Sequence, residues 1–170
     1  MKRPETDEYA PYYDTYVSLI AGDGVMAELD SQTASLRAAV SGLPEDRGSY
    51  AYAEGKWTIK ELLSHLIDGE RIFAYRILRV SRGDKTPIEG FEQDDYIATS
   101  RANDRTFSNL IDEFAFERQA NLIMVSNIDD ETSKLMGTAS DKPVSVRALT
   151  YIMAGHVKHH LKILADRYLD

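Results

Sequence analysis

The chain has four histidines, and three of them fall within five residues, His156-Val157-Lys158-His159-His160. The fourth, His65, lies far upstream in another periodic segment. Imidazole carries protons near neutral pH and is the commonest nitrogen ligand for divalent metals, so the placement of these side chains decides which chemistry is open. On a helical wheel of about 100° per residue, His156 and His160 stand one turn apart at the centre of an apolar stripe made by Leu149, Ile152, Met153, Val157, Ile163 and Leu164. Lys158, Lys162 and Asp166 fall on the far side, and His159 falls at the edge of the stripe, where a surface or supporting role is expected. Two imidazoles in an apolar seam are costly unless their ring nitrogens find partners, and a divalent cation supplies them. His65 borders the apolar face formed by Ile59, Leu62, Leu63, Leu66, Phe73, Ile77 and Val80. It shares a polar wheel sector with Glu61, Asp68, Gly69, Arg76 and Arg79. One imidazole from one helix and an i,i+4 pair from another give three nitrogens. That is the ligand count of a catalytic metal with open positions; a closed structural site usually takes four. The expected ligands of one divalent ion are therefore His65, His156 and His160. Two other readings share the pattern: a structural ion, and a metal-free bundle whose buried histidines are satisfied by water.

Neighbouring residues suggest supporting roles. Asp68 or Glu61 could orient the free nitrogen of a metal-bound histidine, although Glu61 also suits a helix cap. Arg76 and Arg79 could hold a carboxylate of a substrate or cosubstrate, or could pair with surface acids. Asp68 and Arg76 are the candidate catalytic residues. Gly69, one turn after His65, weakens its helix by up to about 1 kcal/mol relative to alanine, and leaves room beside the His65 ring for a bound molecule. Trp57 is expected to pack at the bundle entrance rather than to stack on a substrate. The acidic stretch Glu89-Gly90-Phe91-Glu92-Gln93-Asp94-Asp95-Tyr96 reads as a solvated connector, with closure over the site as its other use.

Sharper motifs are absent. Val157, not Glu, follows His156, so the HExxH zinc-protease signature is missing, and no Glu-x-x-His marks a di-iron carboxylate bundle. Neither a phosphate-binding GxxxxGK[ST] loop nor a GxSxG nucleophile elbow occurs. With no cysteine, thiolate metal sites and cysteine nucleophiles are excluded, so any thiol chemistry must use a thiol from outside the chain. The formal net charge of -8 disfavours binding to a phosphate backbone, and no nucleic-acid partner is expected. No apolar run exceeds four residues, so no membrane span is expected. The opening residues lack the apolar region of a secretory signal, which points to the cytoplasm.

The elements that must position these side chains are long helices. Apolar periodicity predicts a helix over Val25–Val40, stopped by Gly42-Leu43-Pro44. A second runs from the cap Thr58, with Glu61 completing a capping box, to about Arg82 before Gly83. Further helices are predicted over 104–126 and from Val144 to about Arg167, with short turns near 93–98 and 129–135. Residues 1–23 form a Tyr-rich N-terminal arm, 50–53 a possible extended piece, 84–103 a polar connection and 137–143 a loop. Four long helices in a chain of 170 residues predict a single all-α domain spanning 1–170, an up-and-down four-helix bundle with short extra turns.

At two stretches, Gly55-Lys56-Trp57-Thr58-Ile59-Lys60-Glu61-Leu62-Leu63-Ser64-His65-Leu66-Ile67-Asp68-Gly69-Glu70-Arg71 and Ala154-Gly155-His156-Val157-Lys158-His159-His160-Leu161, the sequence resembles the DinB-like superfamily of four-helix metal proteins, which includes the YfiT-type metal-dependent hydrolases. Pro143-Val144-Ser145-Val146-Arg147 looks like that family's entry to its last helix. The family pattern, one His on the second helix and HxxxH on the last, maps onto His65, His156 and His160. The resemblance implies a nickel or zinc ion with water in open positions, a small-molecule substrate and a homodimer. It also implies relatives that use low-molecular-weight thiols as S-transferases or isomerases. A thiol cosubstrate held on the metal as thiolate, attacking an electrophile, is the corresponding expectation here. The rival is a non-catalytic metal-binding stress-response dimer with a structural ion.

Overall fold

Thr58 opens the helix that carries His65. Its hydroxyl accepts the Glu61 N–H at 3.1 Å while the Glu61 carboxylate accepts the Thr58 N–H at 2.8 Å, a reciprocal capping box. The structure, a computed structural model, describes residues 1–169. Its helices are α1 (Asp14–Val17), α2 (Val25–Val40), α3 (Ile59–Ser81), α4 (Gln93–Thr99), α5 (Phe107–Ser126), α6 (Asp130–Ser133) and α7 (Val146–Tyr168). Thr106 and Ser145 cap α5 and α7 by accepting the N–H groups of Asn109 and Ala148. The two helices therefore begin three and two residues later than apolar periodicity alone suggests.

The four long helices form the expected bundle, and their directions refine its topology. α2 and α3 each pack against both α5 and α7, leaving α2 and α3 on one diagonal. Phe107 at the start of α5 lies beside Lys60 at the start of α3, and Arg118 pairs with Glu70 further along, so α3 and α5 run parallel. Tyr168 at the end of α7 donates to the Trp57 carbonyl just before α3, so those two are antiparallel. The helices thus do not simply alternate up and down. Parallel neighbours cannot be joined by a tight turn, and the connection over residues 82–106 must travel back along a helix of roughly 34 Å. That return path places the acidic stretch against the face of the bundle that carries the histidines.

Three expectations for the remaining segments change. Residues 137–143 are not a plain loop: β1 (Met136–Ala139) and β2 (Lys142–Ser145) form an antiparallel hairpin pairing Ala139 with Lys142. Its turn residues Ser140 and Asp141 have φ of 51° and 60°, the double left-handed geometry of a two-residue hairpin turn. The hairpin also holds the return connection, because Ile88 N–H donates to Thr138 O and Ser140 N–H donates to Ile88 O, both at 2.9 Å. Residues 50–53 form no strand; a 3-10 turn at Glu45–Ser49 precedes them. The N-terminal arm is part of the core: Tyr9, Val17 and Ile20 are buried, and Glu8 accepts from Ser145 and Arg147 at the start of α7. A Cβ at Gly155 would overlap the Tyr16 backbone, so only glycine lets α1 lie flush on α7 next to His156.

The core falls into two apolar clusters. One holds Val25, Leu29, Phe73, Ile77 and Leu149; the other holds Leu36, Leu62, Leu110, Phe114 and Leu164. A buried polar layer lies between them. Arg118 donates to both Glu70 oxygens at 2.8 and 2.7 Å, to Leu29 O and to Gln32 Oε1, and Gln32 in turn donates to Ala154 O at 2.6 Å. All four long helices thus share one hydrogen-bonded network, which reaches α7 two residues before His156.

Candidate metal centre

The bundle brings His65, His156 and His160 together. One ring nitrogen from each lies within 4.8 Å of the others, and the Nε2 atoms of His65 and His156 are 2.8 Å apart. The ring centroids are separated by 4.7 to 4.8 Å around the trio. The i,i+4 spacing on α7 supplies two rings from one face, and the antiparallel packing of α3 brings the third to the same level. His65 and His156 are buried, and His160 is half-buried with its Nδ1 enclosed and without a partner. The rings are held in place from outside: Trp57 lies 4.6 Å from His65, and Phe73 and Tyr16 each meet His156 edge-on at 5.5 Å.

Burial lowers the proton affinity of all three. His65 is pushed down to about 4, offset in part by the negative charge of Asp94. His160 is pushed down to about 3 by burial and then by its histidine neighbours, and His156 falls well below the ordinary value for the same reasons. All three are therefore neutral at pH 7, each with a lone pair on one ring nitrogen, and close enough to bind one cation together. A single proton can bridge only the His65–His156 pair, which leaves the enclosed His160 nitrogen unsatisfied. The donor set fits a divalent ion that favours nitrogen.

The depressed values carry a sign for stability in the metal-free protein. Unfolded imidazoles take up protons as pH falls through about 6.5, whereas the folded trio resists until about pH 4 or lower. Between these limits the unfolded state binds more protons, so stability falls as pH falls. Thermal midpoints measured in chelator are expected to drop steadily from pH 7 to pH 5, and His156→Gln should flatten the slope. A flat profile in the wild-type protein would mean that the imidazoles are not buried as described.

Two clefts flank the trio. One, about 350 Å³, is lined by His65 and His156 together with Tyr16, Phe73, Arg76 and Ser140; the other, about 300 Å³, is lined by His160 with Trp57 and Asp94. The return connection forms walls of both: Phe91 and Glu92 line the first, Asp94 the second, and Gln93 both. The acidic stretch is thus more than a solvated connector. No fourth His, Cys, Asp or Glu joins the nitrogen group among the described residues.

The other sequence candidates separate. Glu61 is occupied by its cap and by Asn103, and it lines neither histidine cleft. Asp68 lines a different groove with Arg71, Arg105 and Glu113, and burial raises its carboxyl above the usual range. Arg79 is tied to Asp84 at 2.5 Å. Arg76 lines the first histidine cleft. The space at Gly69 belongs to His156 rather than to a ligand beside His65: an added Cβ would stand 2.8 Å from His156 Cε1. His159 lies outside the group, half-buried and edge-on to Tyr16 and His160. Tyr16 and Ser140 were not singled out by the sequence. Neither carries a local signal, because both reach the cleft through contacts distant in the chain.

The chain resembles known proteins over most of its length. The solved structure of YfiT from Bacillus subtilis, described as a probable metal-dependent hydrolase with an unusual four-helix bundle topology, superposes with a TM-score of 0.78, covering 85% of this chain and 83% of its own at 14% identity. A protein of Geobacillus thermodenitrificans named "Putative metal-dependent hydrolase" is 27% identical over 128 residues, 74% of this chain and 72% of its own length. The sequence model of the DinB superfamily matches residues 28–164, a span that includes all three clustered histidines and the four long helices but for the first and last few residues, and the chain therefore belongs to that superfamily.

Proposed function

We propose that this protein is a metal-dependent enzyme acting on a small-molecule substrate, with His65, His156 and His160 holding one nickel or zinc ion. The carrying observation is the trio itself: three neutral imidazole nitrogens within 4.8 Å of one another, reached by a cleft on either side. A closed structural site would not need the clefts, which favours catalysis over a purely structural ion. An ion there supplies Lewis acidity and lowers the pKa of a water or low-molecular-weight thiol. The name of the Geobacillus relative favours hydrolysis; the lack of cysteine in this chain keeps an external thiol as the alternative nucleophile. The protein's own groups do the rest. Trp57, Phe73 and Tyr16 fix the rings, and Asp94 places a carboxylate at the second cleft, where it can take a proton. A cytoplasmic homodimer is part of the same proposal.

The test is elemental analysis of untagged protein after loading with zinc or nickel and removal of free ion. Close to one equivalent per chain is expected, together with a change in the emission of Trp57, the one tryptophan, which lies against His65. Less than about a tenth of an equivalent would reject the site.

A further inference from the structure

Arg76 is a buried cation without a counter-ion among the described residues. It is 2% exposed, yet the hydrogen-bond partners it has among the described residues are neutral: Nη2 donates to Ser140 Oγ at 3.0 Å and to the Glu89 carbonyl at 3.3 Å. Its Nε is buried with no partner, and Nη1 donates to no protein atom among the described residues. Its neighbour Arg79, one turn on, is saturated by Asp84, Tyr75 and Thr86, so the lack of an acid at Arg76 is not general to this helix. Leaving a guanidinium buried and unneutralised costs several kcal/mol. An anion that enters from the cleft would remove that cost.

We infer that Arg76 and Ser140 anchor the carboxylate of a small organic acid whose other end reaches the histidine trio. Ser140 Oγ accepts from Arg76, which leaves its own hydrogen free to donate. Arg76 Nη1 and the Ser140 hydroxyl give two donors for the two oxygens of one carboxylate. Ser140 is held for this by the left-handed hairpin turn, at a φ of 51°, a conformation that serine adopts only where its surroundings impose it. The cleft sets the length of the acid. Phe73 stands between the two ends, its ring 6.0 Å from the Arg76 guanidinium and 5.5 Å from the His156 ring. An apolar body such as an aromatic ring, lying along Phe73, suits the space between the two ends. The inference deepens the metal-dependent reading at the reactive end of the substrate, while the anion end stands on Arg76 and Ser140 and needs no metal.

The probe is 3-phenylpropionate, with 3-phenylpropanamide as its neutral counterpart and inorganic phosphate as a competing anion. Binding is followed by isothermal titration on metal-free and metal-loaded full-length protein. The carboxylate is expected to bind both forms, at least tenfold more tightly than the amide or phosphate. Arg76→Gln should lose that preference, Arg76→Lys should keep part of it, and neither should change the metal stoichiometry. In the wild-type protein, where folding is not in question, the Arg76 Nε–H resonance should shift on adding the carboxylate and not on adding the amide. Equal affinity for acid and amide, an unmoved Nε–H signal, phosphate binding as tight as the carboxylate, or Arg76→Gln binding as tightly as wild type would each overturn the anchor. Loss of metal without loss of carboxylate binding would instead overturn the metal site and leave the anchor standing.

Discussion

Glu70→Ala is expected to destabilise the protein by about 3–5 kcal/mol, the cost of removing one partner from a buried ion pair. Glu70 and Arg118 are each 1% exposed, and Glu70 supplies both anionic oxygens that Arg118 meets. Without them the guanidinium keeps only Leu29 O and Gln32 Oε1, and Asn121 loses the acceptor it meets at 2.9 Å. Total stabilities of domains this size run to about 5–15 kcal/mol, so the variant should fold marginally. Urea unfolding gives the number. Pairing Glu70→Met with Arg118→Met should recover most of the loss, because burying no charge is often as stable as burying a matched pair. A loss below about 1 kcal/mol for Glu70→Ala would mean that water or another group reaches Arg118. The effect should extend to the histidines, since Gln32, held by Arg118, fixes α7 at Ala154 O.

That network shows where reading the sequence reaches its limit. Local signals were strong: the apolar repeat of α2 and the Thr58–Glu61 box of α3 placed two helices nearly to the residue. The HxxxH spacing put two imidazoles on one face because both lie on one helix. Groups brought together from distant parts of the chain were harder. Arg76 and Arg79 share a wheel sector and looked alike, yet Arg79 finds Asp84 five residues on, while Arg76 finds Ser140 sixty-four residues away. Sequence position alone makes Gly69 a space beside its helical neighbour His65, but the space is filled by a ring from α7. The hairpin had no sequence signature, because its strands are four residues long and its turn is Ser-Asp rather than the usual Asn-Gly. The length of the return connection was a usable signal for parallel neighbours, since antiparallel helices need only a few residues to join.

Gly69→Ala is expected to leave the fold intact and to weaken zinc or nickel binding by at least tenfold. Two effects oppose each other. Alanine in a helix interior gains about 1 kcal/mol over glycine. The new methyl group would also stand 2.8 Å from His156 Cε1, 3.1 Å from Nδ1 and 3.7 Å from Phe73, so the ring must turn or slide by a few tenths of an ångström. The metal-free protein tolerates this: the ring gives way, the His65–His156 hydrogen bond loosens, and the propensity gain offsets the loss. Its thermal midpoint should stay within about 4 °C of wild type. A coordinated ring has no such latitude, because metal–nitrogen distances tolerate only about 0.2 Å, and His156 is closed in by Tyr16, Phe73, His65 and His160. Competition against a chromophoric chelator measures the affinity, and the same samples give the midpoint. Unchanged affinity would remove His156 from the ligand set. A fall in both quantities would show that the helices, rather than the ring, had moved apart.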